Sequence, residues 1–167
     1  MVQEKKRDLN ISFVIYGSGP KKKECVDYAK DHGIKNVEFH ESVDKSEVPV
    51  IQNDADILVA SILDSKIYRF GINLNKIYDY LASARPVVFA GKAPNDPIKL
   101  SNCGYSINPQ SPNELFDCLF NFYNLSPEKR RKMGQNGLKF VDNNFSMSVL
   151  GGEMEDFLLS CQYNLKR

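Results

Sequence analysis

The amino-acid sequence predicts an α/β fold, a doubly wound parallel sheet with helices on both faces. Short runs of β-branched and aromatic residues alternate with helical stretches, and glycine, proline and capping residues separate them. This alternation favours parallel strands joined by right-handed crossovers. A chain of 167 residues is long enough for one domain, so residues 1–167 are interpreted as a single domain with a polar lead-in at 1–10.

Each predicted element follows from a local pattern. Strands are expected where apolar runs stop abruptly, at residues 11–16, 37–40, 55–60, 86–90 and 104–107. Helices are expected where apolar residues recur at helical spacing, at residues 20–32, about 45–53, 75–84 and 96–101, and in three stretches that finish the chain, the last over 145–167. The first strand is expected to be buried. Ser111 and Ser126, each followed by a proline, are expected to cap helices.

Composition and charge exclude several function classes. The net charge of +1 supplies no global field that would attract nucleic acid. The four cysteines show no CxxC spacing and form no zinc set with the two histidines, so no metal site is expected. No run approaches the ~20 apolar residues of a membrane span, and the N-terminus lacks a signal-peptide core. A cytoplasmic location is expected.

Ligands of open parallel sheets bind at the carboxyl ends of the strands, so the turns there are the candidate sites. Gly17 and Gly19 would permit a close backbone approach to a phosphate, but the turn is neither GxGxxG nor a P-loop. An ordinary strand-to-helix turn is the alternative.

The segment that begins at Gly71 is more informative. It leads into a helix whose free N–H groups and positive dipole end would point toward the ligand edge. Asn73 or Asn75 can cap this helix, and Asp79, about one turn in, could accept hydrogen bonds from ribose hydroxyls. The alternative is an ordinary capped helix with Asp79 facing solvent beside Lys76.

Other site chemistries have little support in the sequence. There is no GxSxG elbow and no identifiable carboxylate pair, and His40 at a strand end is interpreted as a packed or hydrogen-bonded residue. A receiver-type signalling domain would need acidic residues after its first and third strands, where this chain has Gly17 to Pro20 and Ala60-Ser61.

The order of the signals resembles the C-terminal domain of the retaining group-1 (family 4) GT-B glycosyltransferases, which build bacterial capsule, O-antigen and related glycans. The quoted runs are Gly17-Ser18-Gly19-Pro20, Asn36-Val37-Glu38-Phe39, Ala55-Asp56-Ile57, Asn75-Lys76-Ile77-Tyr78-Asp79-Tyr80-Leu81-Ala82 and Arg85-Pro86-Val87-Val88. The resemblance runs from about Ile11 to Phe145. It implies a Rossmann-like half of a GT-B fold.

The resemblance also implies roles for individual residues. Asp79 matches the second, ribose-binding glutamate of the family's Glu-x7-Glu motif, whereas Gly71 stands where the first glutamate would be. Asn75 and Lys76 match a subset of surface-polysaccharide transferases, and Gly71, Ile72 and Asn73 would approach the sugar and its diphosphate. Ser42 and Val43 would lie near the base, after Glu41, which replaces a glycine. The implied donor is a UDP-sugar or GDP-sugar, used without a metal or other cofactor.

Two parts of the family's working enzyme are expected to be absent from this chain. These are the first strand-helix unit, with its basic diphosphate-binding pair, and the N-terminal acceptor-binding domain, which would be supplied in cis or by a partner chain. The chain alone is therefore expected to be inactive. The intact enzyme would act on a glycan or lipid-linked acceptor at the inner face of the cell membrane. A non-catalytic or split-subunit nucleotide-binding module is the alternative.

Overall fold

The structure, a computed structural model, describes residues 9–164 and their side chains up to residue 162. This part of the chain contains five strands and seven α-helices, which alternate up to the fifth strand and end in three successive helices. The strands are β1 (Phe13–Tyr16), β2 (Val37–His40), β3 (Leu58–Ser61), β4 (Val87–Ala90) and β5 (Gly104–Ile107). The helices are α1 (Lys22–Asp31), α2 (Val48–Asp54), α3 (Asn75–Ala82), α4 (Pro97–Ser101), α5 (Pro112–Asn124), α6 (Pro127–Phe145) and α7 (Met147–Asn164), with a 3-10 helix at Lys66–Phe70.

All strand pairs in the described chain are parallel, which confirms the predicted α/β class. The strands form two ladders, β1-β2 and β3-β4-β5. The chain correspondingly divides into two compact units, of which the first ends at Ile51 and the second begins at Gln52. They are called unit 1 and unit 2 below.

Unit 1 exposes the strand that the sequence predicts to be buried. Val14 and Ile15 are 51% and 48% exposed, and neighbouring residues of a strand point to opposite faces. Both faces of β1 therefore carry half-exposed apolar side chains, and neither face is fully covered. The prediction of a buried β1 is therefore wrong. The apolar composition shows that the strand could be buried, but burial depends on which elements pack against it.

Unit 2 contains the main hydrophobic core. All residues of β4 are buried, and Ile77 and Leu81 of α3 are among the residues that pack in the same core. Helix α6 approaches the end of α3 closely at Gly134, where an added Cβ would lie 1.9 Å from the carbonyl oxygen of Ala84. This close approach requires glycine and fixes α6 against α3.

The two predicted serine caps have different outcomes. Ser126 caps α6 by accepting a hydrogen bond from the N–H of Lys129 at 3.3 Å, as predicted. Ser111 makes no such bond in the described part of the chain, so that prediction is wrong. Instead, Glu114 accepts hydrogen bonds from the backbone N–H of Asn108 at 2.8 Å and from its side-chain amide at 2.6 Å. These bonds lower the pKa of Glu114.

The last predicted helix, over 145–167, is α7, whose start at Met147 follows the predicted boundary closely. Residues 165–167 lie outside the described residues, as does most of the lead-in at 1–10. Within residues 9–164, every helix is too short or too polar to span a lipid bilayer.

Candidate functional site

The turns that follow β1 and β2 lie side by side at the carboxyl edge of unit 1. The hydroxyls of Ser18 and Ser42 are hydrogen-bonded at 2.8 Å, and the N–H of Gly17 donates to the carbonyl of His40 at 3.3 Å. Gly17 has a φ of +150°, a conformation that favours glycine. An added Cβ at Gly17 or Gly19 would meet no described atom within 4 Å, so a ligand could approach this backbone.

A lysine that the sequence analysis did not select stands at the same edge. The ammonium of Lys22 donates to the carbonyl of His40 at 2.9 Å and forms an ion pair with Glu41 at 2.7 Å. Its side chain is only 22% exposed. Glu41, at the position where the family has glycine, thus reduces the positive charge available to an anionic ligand here.

His40 is packed and hydrogen-bonded, as predicted. Its ring stacks on Tyr16 with centroids 4.8 Å apart, and its Nε2 lies 3.2 Å from a carboxylate oxygen of Glu38. These contacts account for His40 without a role as a catalytic base.

In unit 2, the loop before α3 is fixed at Ile72. The side-chain amide of Asn95 accepts a hydrogen bond from the N–H of Ile72 and donates one to its carbonyl, both at 2.8 Å. The Ile72 side chain is buried, whereas Gly71 before it has a φ of +117°. An added Cβ at Gly71 would lie 3.0 Å from Oδ1 of Asn95. Backbone conformation and space therefore both favour glycine at 71.

Helix α3 begins without a side-chain cap. Its capping position is Leu74, which has an extended backbone, and no described side chain accepts a hydrogen bond from the first amides. The prediction that Asn73 or Asn75 caps this helix is therefore wrong. Asn75 is already the first helical residue, so its side chain is past the position from which a cap reaches the helix amides. The N–H of Ile77 donates to the carbonyl of Leu74 at 2.9 Å, which leaves the N–H groups of Asn75 and Lys76 for a bound anion to accept from.

The polar residues around this helix start are exposed. Asn75 and Asp79 are four residues apart and lie on one helix face, and Lys76 and Asn73 are also exposed. Asp79 contributes to the raised pKa of neighbouring Tyr80, for which burial is the larger cause. The ribose-binding role of Asp79 stays a prediction.

The structure thus brings the predicted residues together within each unit. Unit 1 gathers Gly17, Gly19, Ser42 and Val43 at one edge, and unit 2 gathers Gly71, Ile72, Asn73, Asn75, Lys76 and Asp79 around the start of α3. Sequence reasoning missed Lys22 and Asn95. Asn95 lies in the turn after β4, one of the turns predicted to line the ligand edge, and this position could have identified it as a candidate. In residues 9–164, no group of three or more His, Cys, Asp and Glu side chains could hold a metal ion.

Residues 1–124 match the protein family described as glycosyl transferases, group 1. No curated protein sequence matches the chain. Among solved structures, the chain is similar to HepE of Anabaena, solved in complex with UDP-glucose, with 16% identity, a TM-score of 0.73, and coverage of 95% of this chain and 44% of that chain. Sucrose-phosphate synthase of Thermosynechococcus elongatus gives 13% identity, a TM-score of 0.73, and coverage of 98% and 49% respectively.

A domain of similar extent has also been solved. It is the C-terminal domain of LpcC, a group 1 family protein of Francisella tularensis, with 18% identity, a TM-score of 0.60, and coverage of 88% of this chain and 94% of that one. By contrast, this chain spans less than half of the length of HepE and of the sucrose-phosphate synthase. Identities this low establish the fold and not the substrate. The family match and these folds together show that the chain belongs to the group 1 glycosyl transferases and has the fold of the C-terminal, Rossmann-like half of a GT-B glycosyltransferase.

Proposed function

We propose that this chain is the donor-binding part of an enzyme that transfers a sugar from UDP or GDP to a glycan or lipid-linked acceptor. The observation that carries the proposal is the start of α3, an uncapped helix end at the carboxyl edge of a parallel sheet, with a fixed loop before it. Helix ends of this kind bind phosphate groups through free amides and the helix dipole.

Each group near α3 has a defined task in this proposal. The free amides of the first turn and the ammonium of Lys76 bind the diphosphate, which carries the negative charge that grows as the sugar leaves. The carboxylate of Asp79 accepts hydrogen bonds from the two ribose hydroxyls. Asn73 and Asn75 supply side-chain amides toward the sugar. No metal or redox cofactor takes part.

In unit 1, the turn containing Ser42 and Val43 binds the base through backbone groups, and the Gly17–Gly19 turn permits a close approach. The uridine nucleotides named for HepE, which was solved with UDP-glucose and with UDP, support this donor class. Glu41 pairs with Lys22, so this lysine adds little positive charge for an anionic ligand at the edge of unit 1. At the diphosphate, Lys76 and the amides of α3 supply part of the positive charge that its departure requires.

The remaining features of the proposal follow from the family resemblance. The intact enzyme is a retaining family 4 transferase of bacterial surface polysaccharide synthesis. It works in the cytoplasm and contacts the inner face of the membrane peripherally. An N-terminal acceptor-binding domain, in cis or as a partner chain, completes the active site, and this chain alone transfers no sugar.

A second candidate function is a non-catalytic nucleotide-binding module that pairs with another chain. Two observations favour it. Gly71 supplies no carboxylate at the first motif position, and the ion pair between Lys22 and Glu41 removes a free cation from the ligand edge. Both functions require donor binding, and they differ in whether transfer appears when the missing domain is added.

A two-dimensional NMR titration of residues 1–167 with UDP and GDP tests donor binding. We expect shifts confined to the amides of residues 42–45 and 71–79, with the stronger nucleotide identifying the base. Asp79→Ala should weaken binding about tenfold by removing the ribose acceptor. Asp142→Ala, which removes another exposed helical carboxylate of unit 2, is the matched control and should bind as the wild type does. No shift with either nucleotide at millimolar concentration would refute the donor site.

A further inference from the structure

Asn95 holds the loop in front of the proposed donor site by a two-point contact. Its amide oxygen accepts from the N–H of Ile72 and its amide nitrogen donates to the carbonyl of the same residue, each at 2.8 Å. An asparagine amide has one acceptor end and one donor end, so this arrangement uses both ends at once. The two residues are 23 positions apart in the chain, so the contact joins two separate turns.

Both turns lie at the ligand edge of the sheet in unit 2. Asn95 belongs to the turn after β4, and Ile72 belongs to the connection from β3 to α3. Asp96, next to Asn95, is buried and accepts hydrogen bonds from the N–H groups of Ile98 and Lys99 at 3.0 and 3.3 Å. The turn that carries Asn95 is therefore itself anchored to the start of α4, and this gives Asn95 a rigid base.

Gly71 and Asn95 depend on each other. A Cβ at position 71 would lie 3.0 Å from Oδ1, 3.2 Å from Cγ and 3.3 Å from Nδ2 of Asn95. The amide of Asn95 thus occupies the space next to a residue without a side chain. Asn95 is accommodated here because position 71 lacks the glutamate that the family motif would place there.

We infer that Asn95 is a positioning residue for nucleotide-sugar binding, acting through the backbone of Ile72. This inference rests on the proposed function. Fixing Ile72 sets the path of Asn73 and Leu74 and therefore the direction in which the first amides of α3 point. A loop already ordered before binding loses less conformational freedom when the diphosphate binds.

The experiment compares wild type, Asn95→Ala and Asn95→Asp in UDP and GDP titrations followed by NMR. Asn95→Ala removes both hydrogen bonds, so we expect about tenfold weaker binding and faster hydrogen exchange at the Ile72 amide in the free protein. Asn124→Ala is the matched control, because it also removes an asparagine amide bonded to a backbone carbonyl of unit 2, that of Phe120 at 2.8 Å. It should bind as the wild type does.

Asn95→Asp provides the readout that a purely structural role would not produce. At neutral pH the new carboxylate can accept from the Ile72 N–H but cannot donate to its carbonyl, so binding weakens. As the pH falls to about 4 the carboxyl gains a proton and can again donate. The ratio of its affinity to that of wild type, measured at each pH so that ionisation of the nucleotide cancels, should therefore rise toward one. This variant keeps one of the two bonds, so it also serves if Asn95→Ala does not fold.

The outcomes separate the two proposals. If the wild type binds and Asn95→Ala binds with the same affinity, although the Ile72 amide exchanges faster, the positioning role is overturned and the donor site is supported. A ratio for Asn95→Asp that stays flat with pH overturns it as well. Absence of binding by the wild type overturns the proposed function, and this inference with it.

Discussion

Helix α6 approaches the segment that follows α3 closely at Gly134, so replacing this glycine by alanine should destabilise the chain although alanine favours helix. Gly134 lies within α6, and its Cβ position is 1.9 Å from the carbonyl oxygen of Ala84, whereas real Cβ contacts do not fall below 3.0 Å. Gly134→Ala therefore requires a shift of about 1.1 Å between α6 and the end of α3, the difference of these two distances. The obstacle is backbone, which cannot rotate away as a side chain can.

The expected magnitude combines two opposing terms. Overpacking of a filled core costs about 1 to 3 kcal/mol, and a clash with backbone belongs at the upper end. Alanine gains about 1 kcal/mol over glycine inside a helix. The free energy of unfolding should therefore fall by about 2 kcal/mol, with a melting temperature lower by about 4 to 8 °C for a chain of this size.

Urea and thermal unfolding followed by circular dichroism measure this change. The matched control is Gly151→Ala in α7, where no described atom lies within 4 Å of the added Cβ. It should raise the free energy of unfolding by about 0.5 to 1 kcal/mol through propensity alone. If Gly134→Ala is as stable as wild type or more stable, the packing of α6 against α3 described here is wrong.

Three further predictions concern a thiol, a carboxyl and a helix cap. Burial raises the pKa of Cys118 to about 11, so iodoacetamide at neutral pH should label exposed Cys25 much faster; equal rates in the native chain, read by mass spectrometry, would contradict this burial. Hydrogen bonds from Asn108 lower the pKa of Glu114 in the folded chain. Its stabilisation should be present at pH 7 and be lost as the pH falls through that lowered pKa, so the difference in urea midpoint between wild type and Glu114→Gln should shrink on acidification; a difference that does not change with pH would contradict this. Ser126→Ala should cost about 1 kcal/mol by removing the cap of α6, and no change in the urea midpoint would exclude that role.

Three of the short strands were the most predictable elements. The predicted ranges of β2 and β5 agree with the structure residue for residue, and β4 differs by one residue at its start. Each contains β-branched or aromatic residues and is flanked by residues that interrupt strands, so a local pattern suffices. The 3-10 helix at Lys66–Phe70 was not predicted, because a single tight turn leaves no apolar periodicity.

Exposure was harder to predict than secondary structure. β1 has the composition of a core strand, yet Val14 and Ile15 on its two faces are half exposed in unit 1. Composition records the average surroundings of a residue type, whereas burial depends on the elements that cover a particular strand.

The candidate site was predictable as a region and not as a set of contacts. The carboxyl ends of β3 and β4 were identified from topology, because parallel strands place their following turns at one edge. The Asn95 contact joins residues 23 positions apart, so no local pattern indicates it. The contact also gives a physical reason for the glycine at position 71, which from the sequence alone is only the loss of the motif's first glutamate. Because Gly71 has no side chain, the amide of Asn95 fits beside it and fixes the loop at Ile72 from the turn after β4. A loop without the motif's first glutamate can therefore still be held in place before α3.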